Sequence, residues 1–227
     1  MVTKSARRIA GRTRQSRRPS KLLRWLALSA IVVGCVLLPT TSAAAASVPA
    51  VNPPSAPLTA QWWQAYVSTQ DSTPRCDLGI GQVVFLNGNG TPPQSRSCTL
   101  AAGTTILVPL INVECSSLER PPFFGSTTAE RRQCARGFAD QFTDLVLDIN
   151  GVAVGHLNRL RVPSPPFVFS PVDGNFFGIP AGTGDSASDG YWALIGPLAP
   201  GTYRVHFGGS LPAFDFTTDT TYTLTVV

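Results

Sequence analysis

The chain has 227 residues and a formal charge of +5, but nine of its 18 Lys and Arg, and none of its 13 acids, fall within residues 1–46. The rest holds nine basic against 13 acidic groups, a net −4, and contains no lysine. That balance excludes nucleic acid as a partner, because phosphate binding needs clustered cations, and the one later cluster, Arg131, Arg132 and Arg136, reads as the solvated face of a helix.

Residues 1–46 read as an export signal. A cationic stretch runs through Arg24, an apolar run extends from Leu22 to Leu38, and the small-residue segment Ser42-Ala43-Ala44-Ala45-Ala46 follows, with cleavage expected after Ala44 or Ala46. Two variants retain a membrane attachment: an uncleaved anchor, and a lipid on Cys35, since Val32-Val33-Gly34-Cys35 looks like a lipobox. Ser16-Arg17-Arg18 resembles a twin-arginine signal, with Pro19-Ser20 where an apolar pair usually stands. The expected mature form is secreted and extracellular, free of the membrane, and its oligomeric state is not specified.

Residues 47–57 are rich in Pro and Ala and read as a linker. Residues 58–227 then form one expected domain. A helix begins near Thr59 as cap, striped by Trp62 with Tyr66 and Trp63 with Val67. The adjacent Trp62 and Trp63 suggest either a sugar-stacking platform or the buried face of a helix lying on a sheet.

Strands follow. Gln82 to Leu86 ends in the turn Asn87-Gly88-Asn89-Gly90, residues that tolerate positive φ. Ser97 to Leu100 leads into Thr105 to Val113, an apolar run expected to be buried on both faces, with an edge or bulge at Pro109. Thr127-x-x-Glu130 is a capping box that opens a helix carrying Cys134, Phe138 and Phe142 at helical spacing. Beyond it Leu145 to Ile149, the hairpin signal Asn150-Gly151, and segments 152–154, 167–169, 191–195, 203–207 and 222–226 are short and alternating. The pattern predicts a mainly β fold, an antiparallel β-sandwich with one or two short covering helices.

Four cysteines follow the signal: Cys76, Cys98, Cys115 and Cys134. Their gaps of 22, 17 and 19 residues contain no close pair of the kind zinc requires. Disulfides are expected, with Cys76 to Cys98 and Cys115 to Cys134 preferred because short loops close most easily.

Pro-Gly before Tyr203-x-Val205-x-Phe207, with the closing Tyr222-x-Leu224-x-Val226, resembles the last strands of immunoglobulin-like and fibronectin-like bacterial modules. Ala102-Gly103-Thr104, Asn112-x-Glu114-Cys115, Asp189-Gly190-Tyr191-Trp192 and His206-Phe207-Gly208-Gly209 are similar to a group of uncharacterised secreted bacterial proteins. The resemblance spans residues 60 to 227 and implies fold and location, not an activity.

No active-site signature stands out. Gly184-Asp185-Ser186 resembles the nucleophile block of one esterase family, but the Asp-x-x-His pair that family places near its end is missing. Glu114, ending an apolar strand, is the candidate acid for proton transfer. Paired with Glu119 or Asp189 it suits a small glycosidase-like hydrolase, which needs two acids flanking one bond. His206, with His156, is a weaker catalytic candidate. Asp173-x-Asn175 and Asp185-x-x-x-Asp189 offer oxygen ligands for calcium; otherwise no metal and no cofactor is expected. The leading expectation is an extracellular or envelope-associated binding or structural module, its partner a polysaccharide or envelope component. Its ligand surface is expected where Tyr191-Trp192 meets the loops of residues 173 to 189, with one of those rings facing outward or at a sheet edge.

Overall fold

The computed structural model describes residues 48–70, 76–88, 93–175 and 177–227. The export signal, the candidate lipid site at Cys35, the cleavage site after Ala44 or Ala46 and the second half of the Asn87 to Gly90 turn lie outside these residues.

Two sheets face each other. The first runs β1 (Val51–Asn52), β9 (Gly184–Ile195), β5 (Thr105–Ser116), β3 (Val83–Phe85), β2 (Gly79–Ile80), with β8 (Phe167–Phe169) also on β9. The second runs β4 (Gln94–Leu100), β11 (Phe216–Val226), β10 (Gly201–Leu211), β6 (Thr143–Ile149), β7 (Val152–Ala153). The sandwich is therefore as expected, but its sheets are mixed. β3 runs parallel to β5, and β4 parallel to β11. In both cases the strand pairs with a partner that is not its hairpin neighbour, which frees its direction from the antiparallel geometry a tight turn imposes.

The sheets bury Ile106, Val108, Leu110, Ala193 and Ile195 against Leu147, Val205, Phe207, Tyr222 and Leu224. The other face of the first sheet is covered as well. Helix α1 (Ala56–Val67) lays Trp62, Trp63, Tyr66 and Val67 on Phe85, Leu107, Phe169 and Trp192. Trp62 Nε1 donates to Leu86 O at 2.7 Å and the Tyr66 hydroxyl to Phe85 O at 2.8 Å, fixing the helix to the end of β3. A strand covered on both sides needs apolar residues at nearly every position, and this explains the nearly continuous Thr105 to Val113 run, interrupted at Asn112. Pro109, unable to donate to a ladder, sits where the β5–β9 register shifts, between Pro109 and Ile111.

Several local expectations are refined. α1 starts earlier than Thr59: Ser55 is its N-cap residue and Pro57 lies in its first turn, where a fixed φ favours helix initiation. Thr59 is buried inside the helix and donates its hydroxyl to Ala56 O. Part of the expected linker, Val51 and Asn52, is paired with Ile195 and Leu194. Residues 184–189, expected as loop, form the first half of β9, because pairing with both β5 and β8 outweighs the low strand preference of Gly, Ser and Asp.

Helix α2 (Thr128–Ala139) begins with the expected capping box, Thr127 accepting from Glu130 N while the Glu130 carboxylate accepts from Thr127 N. The Ser126 hydroxyl, which donates to the same carboxylate at 2.6 Å, and then the Thr127 N–H hold the Glu130 carboxyl below its ordinary range. Arg131 corrects the view of a fully solvated arginine face. It is 4% exposed and donates to Gly125 O, Ser126 O and Thr128 Oγ1, folding the preceding loop onto the helix start, with Asp185 at 3.5 Å. Cys115–Cys134 ties α2 to the end of β5, and Cys76–Cys98 ties the start of the β2–β3 segment to β4. Both pairings are those preferred from loop length. Among the described residues no helix is long and apolar enough to cross a membrane.

Candidate functional site

The site grows from the unshared side of β5. β3 pairs only with Thr105, Ile106 and Leu107, so among the described residues no strand runs beside β5 from Val108 onward on that side. The chain leaving β5 turns back there. Ser116 Oγ accepts from Leu118 N, and Ser116 bonds Phe123 O and Gly125 N through its own backbone. The loop so closed carries Glu119 and Phe123 alongside Asn112, Val113 and Glu114. Gly184 and Gly190 permit the close approach. A Cβ at Gly184 would collide with Leu118, and one at Gly190 with Asn112.

Between this edge and its neighbours lies a cavity of about 400 Å³, within the range of small-molecule sites, about 300–1,000 Å³. Its aromatic wall is Trp63 from α1, Phe123, Phe142, Phe177, Phe214 and Phe216. Trp63 and Phe177 pack at 4.6 Å between ring centroids, and Phe123 and Phe214 at 5.7 Å. Its polar part is Asn112, Glu114 and Glu119.

Glu114 is 3% exposed. Its Oε2 accepts a short hydrogen bond from the Ser186 hydroxyl, which also reaches Cys115 O. Burial first, and then the adjacent Glu119, hold the Glu114 carboxyl protonated well above the ordinary range, against the opposing Ser186 bond. Glu119 is also raised by burial, while hydrogen bonds from Glu114 and Ser116, the latter at 3.0 Å, pull the other way. The physical picture is one proton between two carboxyls, Glu114 donating and Glu119 accepting. Glu114 Oε1 is buried. Like charges this close do not both ionise in a dry site. Two buried polar atoms without a partner, Trp63 Nε1 and Asn112 Oδ1, belong to residues lining the same cavity.

Of the two partners considered for Glu114, the structure brings Glu119 and not Asp189. The register sets Glu114 opposite Ser188 and Val113 opposite Asp189, so the two acids point to opposite faces of the sheet. Asp189 is bound by Arg161 at 2.8 and 3.1 Å, and Arg161 also bonds Asp140 at 2.6 Å; the guanidinium is held charged by these carboxylates. His206 lies on the second sheet, paired with Asp219 at 2.9 Å, away from the Glu114 cavity. Ser186, the serine of the Gly184-Asp185-Ser186 triplet, is fully buried and bonded to Glu114, with no histidine beside it.

The tryptophan expectations need correction. Trp62 and Trp63 are 1% and 4% exposed, so they form the buried helix face and not an open sugar platform. Trp192 is fully buried, its ring 5.3 Å from that of Trp62, and Tyr191 packs toward Phe142 and the sheet interior. Neither ring faces outward, because α1 covers one side of β9 and the second sheet the other. Of the calcium candidates, Asn175 holds its own loop through Val172 O, Ile179 O, Phe177 N and Ile179 N, Asp185 and Asp189 face Arg131 and Arg161, and Asp173 is exposed. Among the described residues no group of three or more His, Cys, Asp and Glu is gathered as a metal site.

No family model matches the chain, and no curated protein matches it. Among solved structures, the chain titled "Structure of PbICP-C in complex with falcipain-2" is 13% identical over 65% of this chain and 98% of its own, with a TM-score of 0.23, a likeness too slight to bear on fold or function.

Proposed function

We propose that the protein is a secreted binding module that takes a small, largely apolar ligand into the cavity bounded by Trp63, Phe177 and Phe214, with Glu114 and Glu119 at its polar end. One observation carries the reading: an aromatic wall and a buried carboxyl pair meet in a single cavity. Each carboxyl takes one serine hydroxyl, Ser186 on Glu114 and Ser116 on Glu119, yet where a structural carboxylate is normally given further donors each faces the other acid at the edge of an unfilled space. The expected export signal and the two disulfides, bonds that persist in oxidising compartments, support a site of action outside the cytosol. An envelope-associated role and a polysaccharide partner remain part of the proposal only as sources of such a ligand, since the tryptophans are not displayed as a flat platform.

The test is a titration of the purified protein with the neutral dye Nile red, set beside Leu211→Trp, which fills the cavity from its wall. Saturable binding at one site per chain, weakened about tenfold or more in the variant, is expected. Dye uptake that does not saturate, or that ignores the variant, overturns the reading.

The carboxyl pair favours one alternative, a small hydrolase. One acid protonated beside one ionised base is the state in which a carboxyl dyad activates water. Glycosidase carboxyls stand farther apart, about 5–5.5 Å or 6.5–9.5 Å, to admit the sugar bond, so a hydrogen-bonded pair fits water activation on a carbonyl better. Product release from mixed peptide and glycoside substrates that stops in both Glu114→Gln and Glu119→Gln would establish the hydrolase.

A further inference from the structure

The two ends of the cavity differ in kind, and together they specify the charge of the ligand. Among the described residues six aromatics form the wall, and no Lys or Arg lines it. Ring faces attract cations, by about 0.5–2 kcal/mol depending on desolvation. The polar end consists of Asn112 and the carboxyl pair. A pair that holds one proton carries one negative charge, and Asn112 Oδ1 is a buried acceptor without a donor. Glu119 is the outer acid of the two and Glu114 the inner, the latter anchored by Ser186. Trp63 Nε1 is a buried donor without a partner on the cavity wall, suited to an oxygen on the ligand body.

We infer, building on the reading of this cavity as a ligand site, that its ligand is an organic monocation: a protonated amine whose ammonium sits at Glu119 and Asn112 and whose apolar body lies among the rings. An anionic ligand meets a negative floor without a cationic partner. A neutral one fills the wall but leaves the charge uncompensated. The ammonium donates to the ionised Glu119 carboxylate, and Glu114 keeps its proton on the far side of Glu119, so no proton changes hands while the pair holds one. When acid has added a second proton, docking must expel it to solvent, and binding weakens as pH falls.

Calorimetric titration with phenethylamine, phenethyl alcohol and phenylacetate separates these cases at equal ring size. Phenethylamine is expected to bind about tenfold or more tighter than the alcohol, and phenylacetate weakest. Glu119→Gln is expected to bring the amine down to the level of the alcohol measured on the same variant, and a cooperative thermal unfolding transition shows that the variant is folded. Equal affinity for amine and alcohol, or an amine preference that survives Glu119→Gln, overturns the inference. If none of the three binds while Nile red does, the cation reading fails and the cavity reading stands. If Nile red fails too, the cavity reading falls first.

Discussion

Glu114 places a proton in the folded protein that the unfolded chain does not hold. Its folded-state carboxyl titrates above the ordinary value of 4.5, chiefly through burial and secondarily through Glu119. Between those two values the folded state binds more protons than the unfolded one, so the associated stability is fully present below 4.5 and is lost as pH rises through the folded value. Glu119, raised in the same direction, adds to the same slope. Urea midpoints of the wild type should therefore fall as pH is raised from 4.5 toward neutrality. Glu114→Gln should flatten that profile and, near neutral pH, stabilise by something on the order of 1 kcal/mol. A wild-type midpoint that stays level across this range removes the protonated carboxyl. From sequence, Glu114 could be singled out because it ends an apolar strand. Its partner could not be chosen, because the choice between Glu119 and Asp189 depends on strand register, and register is set by a pairing some 70 residues away in the chain.

At the scale of elements, the Cys115–Cys134 bond fastens α2 to the end of β5, beside the loop that presents Glu119 and Phe123. Replacing both cysteines by alanine releases a loop of 19 residues and should cost about 3 kcal/mol in the chain-entropy account. Thermal unfolding would read the loss; an unchanged midpoint would mean that packing alone holds α2. The elements themselves were largely legible. Local signals with a mechanism behind them, such as the Thr127 to Glu130 capping box and the Asn150-Gly151 turn with both residues at positive φ, land where expected. What misled was composition. Gly184 to Asp189 reads as loop, yet Ser186 and Ser188 are buried, facing Ser116 and Glu114 across the ladder. Polar residues at alternate positions of a strand mark a polar interior site, and that period-two spacing was the available signal. Arg131 misled for a related reason: a helix face looks solvated until the loop that folds over it is known.

Across the whole molecule, two layers of strands and their covering helices follow from the pattern of short alternating segments, whereas the cavity does not. Its lining comes from α1, the end of β5, the loop after it, the chain before β6, the turn at Phe177 and Ile179, and the far end of the β10–β11 hairpin. No stretch of sequence contains more than a part of it. Aromatic residues at a hairpin end, Phe214 and Phe216 on either side of Asp215 among them, are the trace such a site leaves in a sequence, and they are partly exposed at 44% and 40%.

The burial of the first sheet on both sides carries a consequence for its motions. β5 and β9 are shielded from water by α1 above and by the second sheet below, so their central amides open to solvent only when a covering layer detaches. Deuterium uptake followed by mass spectrometry should find the segment from Ile106 to Leu110 and that from Tyr191 to Ile195 among the last to exchange, at a rate tied to global unfolding. The short outer strand Val152–Ala153, whose residues are exposed, should exchange early. Early exchange in β5 would mean that α1 lifts away in the native state, and with it the Trp63 wall of the cavity.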